Sequence, residues 1–414
     1  MLLEKLKAKE EYNNYQEDLA FAKELNILRN DFYYKMIAAK NTELVDFLYK
    51  PLDVVSGDAY TAREIDKNRT FYLVVDGMGK GLSASLTAMI MTSFINHLID
   101  KMKMYDSFSL DILIQESMEY MRPILLEEES VAIDYILMDS AYSTMEYAKF
   151  AMPVMLLQNE NNEIIRIKSN NPPLSKYVTD YKISTYKTNG ISKFLFYSDG
   201  VVENTVDEDK TYADFIEDDF LSSYTGEDLK NKLFQRIETQ EDDITLIFIN
   251  ILDLKNTLIE TKSFNTSLHD VDIASEWYSN LLEHVTTDVK SAYNAGLVFT
   301  ELYMNAYEHG NLGITAFEKN SLLENDIYFD TLLEKEKDCT KKITVQVNKV
   351  KYGADTYIIT QISDEGEGFD TQLLSQIFRN SRTFNGRGVF VSRKNSWGIY
   401  YNQRGNSVLY LNKV

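Results

Sequence analysis

The sequence predicts an α+β chain of two or three domains. Three observations predict it. Short apolar runs rich in β-branched and aromatic residues recur along the chain, and several begin or end in aspartates. Residues 82–102 form a long apolar stretch with small residues and no proline, the pattern of a buried helix. From residue 262 the alternation of strand-like and helix-like segments starts afresh, after a short connection at 253–261. At 414 residues and 44% hydrophobic, the chain can bury packed cores.

Residues 1–45 read as helical: they are rich in Glu, Lys, Leu and Ala and contain neither Pro nor Gly. Phe21, Leu25, Leu28 and Phe32 recur at four and three residues, the seam spacing of a coiled coil. Two readings follow, a homodimer through this helix or a helix packed on its own domain.

The run 53–65 (DVVSGDAYTAREI) places Gly57-Asp58 inside a strand-like segment. In 71–86 (FYLVVDGMGKGLSASL) a buried strand ends at Asp76-Gly77, and glycines let the chain turn sharply before the helix. Taken alone, this junction equally fits an aspartate that caps a helix. Gly-Met-Gly-Lys-Gly does not meet the G-x-x-x-x-G-K-[ST] phosphate loop, so Lys80 reads as a phosphate contact or a solvated turn residue. A helix at 109–121, stopped by Pro123, precedes strands at 131–138, 145–150, 154–158 and 164–167. The strand-then-aspartate pattern returns at 193–204 (KFLFYSDGVVEN), with Asp199-Gly200. It is reversed at 241–251 (EDDITLIFINI), where Asp242-Asp243 open a strand. Carboxylates gathered at strand ends suit Mg²⁺ or Mn²⁺, which take carboxylate, carbonyl and water oxygens. Two such ions ~3.5–4 Å apart clamp an in-line displacement at phosphorus.

Composition narrows the class. A net charge of −21 disfavours nonspecific nucleic-acid binding and an anionic membrane surface. No apolar run is read as approaching the ~20 residues of a membrane span, and the N-terminus lacks a signal-peptide core. The single Cys339 excludes an intrachain disulfide and a cysteine zinc site. These features together predict a cytoplasmic protein.

The motifs GD-x-Y, VVDGMGKG-x-x-A, YSDGVVE and DDITL, in that order, resemble the metal-dependent (PPM) Ser/Thr protein phosphatases of the SpoIIE/RsbU type over residues 46–252. The resemblance implies an αββα sandwich with the metal site at one end between the sheets. It implies that Asp58 and Asp76 ligate or bridge two Mn²⁺ or Mg²⁺ ions, helped by the Gly77 carbonyl. Asp199 and one of Asp242 or Asp243 complete the set. Asp242 is the preferred one, and Asp243 alternatively hydrogen-bonds the neighbouring turn or Thr245. The chemistry implied is direct hydrolysis of phosphoserine or phosphothreonine, without a phosphoenzyme. Where the family carries Gly-His, this chain has Phe150-Ala151-Met152-Pro153, read as a packing change. The stretch YQEDLAFAKELNIL resembles the family's linker helix, which follows a sensory or receiver module. That likeness leads to the expectation that the N-terminal helix, or a partner on it, sets the position of the 82–102 helix and of Asp76.

Residues 262–414 carry a second set. In GLVFTELYMNAYEHGN, Glu301, Asn305 and His309 are four apart and share one helix face. ISDEGEGFD ends an apolar strand in Asp364 with Gly366 and Gly368 beyond it. NGRGVFVSRK, with Gly386, Arg387 and Gly388, is a glycine turn into a helix start, where free N–H groups suit phosphate. A polar helix face in water is the alternative for the first of these. Together they resemble the GHKL (Bergerat-type) α/β sandwich ATPases, and most closely the RsbW-type anti-sigma-factor serine kinases. The resemblance implies ATP with Mg²⁺ on Asn305, Glu301 as base or Mg²⁺-water ligand, and Asp364 on the adenine amino group. Gly366 and Gly368 would allow close approach, and Gly386, Arg387 and Gly388 would line the phosphates. His309 reads as structural. The segment 311–342 reads as a charged helical insertion, either a lid, a partner surface or a solvated excursion.

The whole chain thus reads as a partner-switching regulator. A phosphatase would act on a STAS-type anti-sigma-factor antagonist and a kinase would phosphorylate such a protein, with a sigma factor or an upstream sensory or receiver protein as further partners. The alternative is an active phosphatase whose C-terminal domain is a non-catalytic nucleotide sensor or an anti-sigma or protein-binding module.

Overall fold

The computed structural model describes residues 2–37, 41–79, 81–207, 209–371 and 395–414, with side chains described from residue 15 onward. The chain divides into two compact units. The first comprises Met1–Asp31, Ile37–Ala39 and Val45–Ile251, and the second Phe32–Met36, Lys40–Leu44 and Leu252–Val414.

In the first unit one sheet runs in the order Arg29–Asn30, Asp58–Glu64, Arg69–Gly77, Val131–Asp139, Thr144–Phe150 and Ser184–Lys187. A second sheet runs from Thr42–Lys50 through Ile244–Leu252, Ile191–Tyr197 and Met155–Asn159 to Ile164–Ile167. The central strands are near-continuous apolar runs because both of their faces are covered: Phe71, Tyr72, Leu73, Val74 and Val75 are all fully buried. Tyr72 and Phe196 meet between the sheets, ring centroids 6.0 Å apart. Helix Leu82–Met104 buries Ala84, Ala88, Met91, Ile95 and Ile99. Helices Ile216–Ser222 and Gly226–Arg236 give Phe220, Leu229 and Leu233 to a cluster with Leu195, Leu246 and Phe248 of the second sheet. The result is the four-layer helix–sheet–sheet–helix stack. Leu110–Met121 is capped by Ser109, whose hydroxyl accepts from the Ile112 N–H.

Three expectations need correction. The N-terminal helix spans Leu2–Ile27 and not 1–45; Arg29–Asn30, Tyr34–Met36 and Thr42–Lys50 are strands. Phe32, Tyr33 and Tyr34 are aromatic residues that favour a pleated surface, and Leu28 and Phe32 lie buried beyond the helix end. The proposed seam therefore does not run along one helix. The connection at 253–261 is not all loop, because strand Leu258–Asn265 begins inside it and pairs with Lys342–Tyr352. Finally, Leu82–Met104, at 23 residues, is long and apolar enough to cross a membrane by length and composition. Of its most apolar window, 56% is buried, which fits a core helix.

The second unit has an antiparallel sheet in the order Leu258–Asn265, Lys342–Tyr352, Asp355–Asp364, Ser407–Lys413 and Gly398–Tyr401. Helices Leu268–Val285 and Val289–Asn305 pack through Tyr278 and Phe299, whose rings stack at 4.2 Å. The Tyr278 hydroxyl reaches Thr360 Oγ1 on the sheet at 2.8 Å. A π-helical turn, Ala306–Asn311, extends the second helix. The insertion forms two helices, Ala316–Glu324 and Tyr328–Lys337. It is not a free excursion: buried Glu308 accepts from Lys319 Nζ (2.5 Å) and from the Tyr328 hydroxyl, and Tyr307 donates to Glu336 Oε2 (2.8 Å).

Candidate metal centre

Strands Asp58–Glu64 and Arg69–Gly77 pair antiparallel with Asp58 directly opposite Asp76. The Gly77 N–H donates to the Gly57 carbonyl at 3.0 Å, closing that end of the pair. Asp199 begins the short helix Asp199–Val202 where strand Ile191–Tyr197 ends, and Asp242 and Asp243 immediately precede strand Ile244–Leu252. Four strand ends thus bring Asp58, Asp76, Asp199, Asp242 and Asp243 into one pocket, together with Gly57, Met78, Gly79 and Ala151. Both glycines that follow an aspartate are forced by close approach. A Cβ on Gly77 would lie 2.7 Å from the Ala84 carbonyl oxygen, and one on Gly200 would lie 2.0 Å from that of Asp243.

The carboxylates are held in different ways. Asp58 is buried, and its Oδ2 accepts from Ser198 Oγ at 2.6 Å. Asp243 accepts from Leu52 N–H at 2.7 Å and Gly57 N–H at 2.6 Å, one on each oxygen. It therefore ties the 52–57 turn to the last strand. The hydrogen-bonding alternative expected for Asp243 is present, but with partners far away in sequence and not with Thr245. Asp242 Oδ1 accepts from the Asp243 N–H at 2.8 Å.

Burial pushes Asp58 well above the usual carboxylate range, and the charges of Asp243 and Asp199 add to this against the hydrogen bond from Ser198. Asp76 is pushed up to about 10, first by burial and then by the charges of Asp58 and Asp199. No cationic side chain is among the groups that shift either one. Among the described residues, no three His, Cys, Asp or Glu side chains are already drawn up as a closed metal cage. The donor set is nonetheless all oxygen and collectively anionic, and no Lys or Arg is among the described residues that line the pocket, a setting that fits a hard divalent ion. Lys80 lies outside the described residues. Ala151, at the expected packing change, has φ 55° and lines the pocket wall, so that departure falls on the site itself. Ser198 was not singled out from the sequence, although it sits inside the YSDG motif.

In the second unit, Asp364 ends its strand, and its Oδ1 accepts from the Gly366 N–H at 2.8 Å. Bare backbone crowds it: a Cβ on Gly310 would lie 2.5 Å from Asp364 Cγ. Burial pushes Asp364 up to about 6, against the Gly366 N–H and the Lys341 charge. Gly368 has φ 81°, and a Cβ there would strike the Arg404 carbonyl oxygen at 1.8 Å. Burial raises Tyr401, and the charges of Glu301 and Asp364 add to that shift. Asn305 ends its helix, half-buried. His309 is exposed, its Nδ1 bonded to the Ile314 carbonyl. Gly386, Arg387 and Gly388 lie outside the described residues.

Residues 66–252 match the family model of stage II sporulation protein E (SpoIIE). Phosphoserine phosphatase RsbP of Bacillus subtilis is 23% identical over 203 residues, 48% of either chain. The chain thus spans about half the length of that curated relative. Among solved structures, the RsbU and RsbW domains of a Mycobacterium tuberculosis protein cover 90% of this chain and 94% of that one, with 14% identity and a TM-score of 0.45. The SiaA PP2C domain of Pseudomonas aeruginosa covers 59% and 99%, with 20% identity and a TM-score of 0.48. With its four layers and its SpoIIE match, the first unit has the PPM-type α+β phosphatase fold.

Proposed function

We propose that the first unit is a metal-dependent protein phosphatase that removes phosphate from phosphoserine or phosphothreonine. The observation that carries this reading is the meeting of five aspartates from four strand ends in one pocket, with Asp58 and Asp76 facing each other and no cationic side chain among the described residues that line it. Asp58, Asp76, Asp199 and Asp242, with the Gly77 carbonyl, would hold two Mn²⁺ or Mg²⁺ ions. Bound there, the ions would supply charge stabilisation and activate water. Asp243, whose two oxygens are already taken by backbone donors, would shape the turn beneath them. Ser198 holds one oxygen of Asp58, leaving the other for the pocket.

The partner would be a phosphorylated STAS-type anti-sigma-factor antagonist in a partner switch. For the second unit the proposal is a GHKL-type nucleotide site with ATP and Mg²⁺. Asn305 and Glu301 would lie on the phosphate side, and Asp364, cradled by Gly310 and Gly366, on the adenine. It would phosphorylate the same class of protein. A nucleotide sensor or protein-binding module is the second reading, favoured by how tightly the 311–342 insertion is tied to Glu308 and Tyr307.

The test follows label from ATP onto a STAS protein with Mn²⁺ or Mg²⁺ present, in wild type, Asp76→Asn and Asn305→Ala. Asp76→Asn is expected to abolish dephosphorylation, a loss beyond the ~10–100-fold typical of removing a residue that hydrogen-bonds a metal ligand, while ATP binding persists. Label that accumulates mainly in Asp76→Asn supports both activities, and Asn305→Ala should remove it. Dephosphorylation without labelling in any variant supports the sensor. One substitution that removes both activities argues against two separable sites.

A further inference from the structure

We infer that Glu24, on the N-terminal helix Leu2–Ile27, is a positioning residue for the metal centre; this rests on the metal-dependent reading above. Glu24 is a carboxylate only 2% exposed, three residues before the end of the helix. Its Oε1 accepts from the Ser56 N–H at 2.8 Å and from the Tyr49 hydroxyl. Ser56 Oγ in turn accepts from the Asp58 N–H at 3.0 Å. Between them, the Gly57 N–H donates to Asp243 at 2.6 Å. The Tyr49 oxygen also lies 3.3 Å from the Asp58 carbonyl.

Glu24 therefore holds the backbone of a three-residue turn whose next two residues clamp Asp243 and present Asp58. A buried carboxylate that accepts a backbone N–H is a charge-assisted, directional contact, worth about twice a neutral one. The same helix is anchored a turn later, where Asn96 Nδ2 of helix Leu82–Met104 donates to the Ile27 carbonyl at 2.9 Å. That second anchor keeps the helix in place when Glu24 is changed. Loss of Glu24 would then loosen the 56–58 turn without releasing the helix. The effect expected is on how the pocket holds its ions, not on the reacting groups.

The experiment uses the full chain as wild type, Glu24→Ala and Glu24→Gln. Mn²⁺ binding is followed by electron paramagnetic resonance of the free ion, and p-nitrophenyl phosphate hydrolysis is titrated with Mn²⁺ in parallel. Glu24→Ala is expected to raise half-saturating Mn²⁺ about ten- to a hundredfold, the range for losing a residue that orients a metal ligand, with kcat recovered at saturating metal. Glu24→Gln keeps an acceptor oxygen and loses the charge, so it should shift the same way by less. Wild-type Mn²⁺ affinity in Glu24→Ala overturns the inference, as does a kcat loss that metal does not restore. If Glu24→Ala does not fold, wild-type affinity in Glu24→Gln overturns it. A wild-type chain that binds no Mn²⁺ removes this inference and the metal-dependent reading together. Binding without hydrolysis removes only the phosphatase reading.

Discussion

Asp134 and Asp58 belong to the same six-stranded sheet, two strands apart. Asp134 stands opposite Lys149 across its strand pair, and the two side chains, 0% and 1% exposed, meet at 2.8 Å. Asp58 stands opposite Asp76. Burial pushes both Asp134 and Asp58 upward. For Asp134 the Lys149 charge opposes that shift; for Asp58 the neighbouring charges of Asp243 and Asp199 reinforce it. Among the described residues, the fold thus gives one buried carboxylate a cationic partner and the other only a hydroxyl donor. A like-charged cross-strand pair at a sheet end is unfavourable by itself, so its presence marks a place where a ligand supplies the missing charge.

The largest effect expected from this contrast is at the internal pair. Lys149→Met leaves Asp134 buried without its cation and should cost about 3–5 kcal/mol, measured by chemical denaturation. Adding Asp134→Leu should recover most of it, because a buried ion pair and an apolar pair of similar volume are close in stability. Retained stability in Lys149→Met alone would break the comparison.

The next effect concerns pH. Asp76 has a folded-state value of about 10, against an ordinary carboxylate near ~4. Between these values the folded, metal-free protein holds a proton that the unfolded chain has released. Its stability should therefore fall as pH rises from about 4 towards about 10. Thermal midpoints at about pH 5.5 and about pH 8.5 should show the decline without metal, a smaller one in Asp76→Asn, and its removal by Mn²⁺. A midpoint that rises with pH in the metal-free protein would contradict the arrangement.

The smallest effect is at Ser198. Ser198→Ala removes one donor to Asp58 and should weaken Mn²⁺ binding about tenfold while leaving the fold intact. No change would mean that the Asp58 oxygen bonded by Ser198 plays no part in orienting its partner oxygen.

Much of the first site was legible because its residues sit where local rules place them. Asp76 and Asp199 each close an apolar run and precede a glycine, and Asp242-Asp243 open one. A strand pattern and a turn residue suffice to find such positions. The partners of these aspartates were less legible. Asp243 takes its donors from Leu52 and Gly57, nearly two hundred residues away on the order of the whole unit's length, and no local pattern encodes that pairing. Residues 29–45 were misread for a related reason. Composition there suits a helix, but Arg29 and Asn30 pair with Thr61 and Ala62, and long-range pairing overrides weak local propensity.

By itself the sequence determined the alternation of strands and helices, the aspartates at strand ends and the glycines that let the backbone pass close to them. Period and turn chemistry are local properties, carried by neighbouring residues. Only the tertiary structure decided that Asp58 faces Asp76 while Asp134 faces Lys149, that Ser198 holds Asp58, and that Glu24 reaches Ser56. Those outcomes depend on strand register and layer packing, which bring together groups that are far apart along the chain.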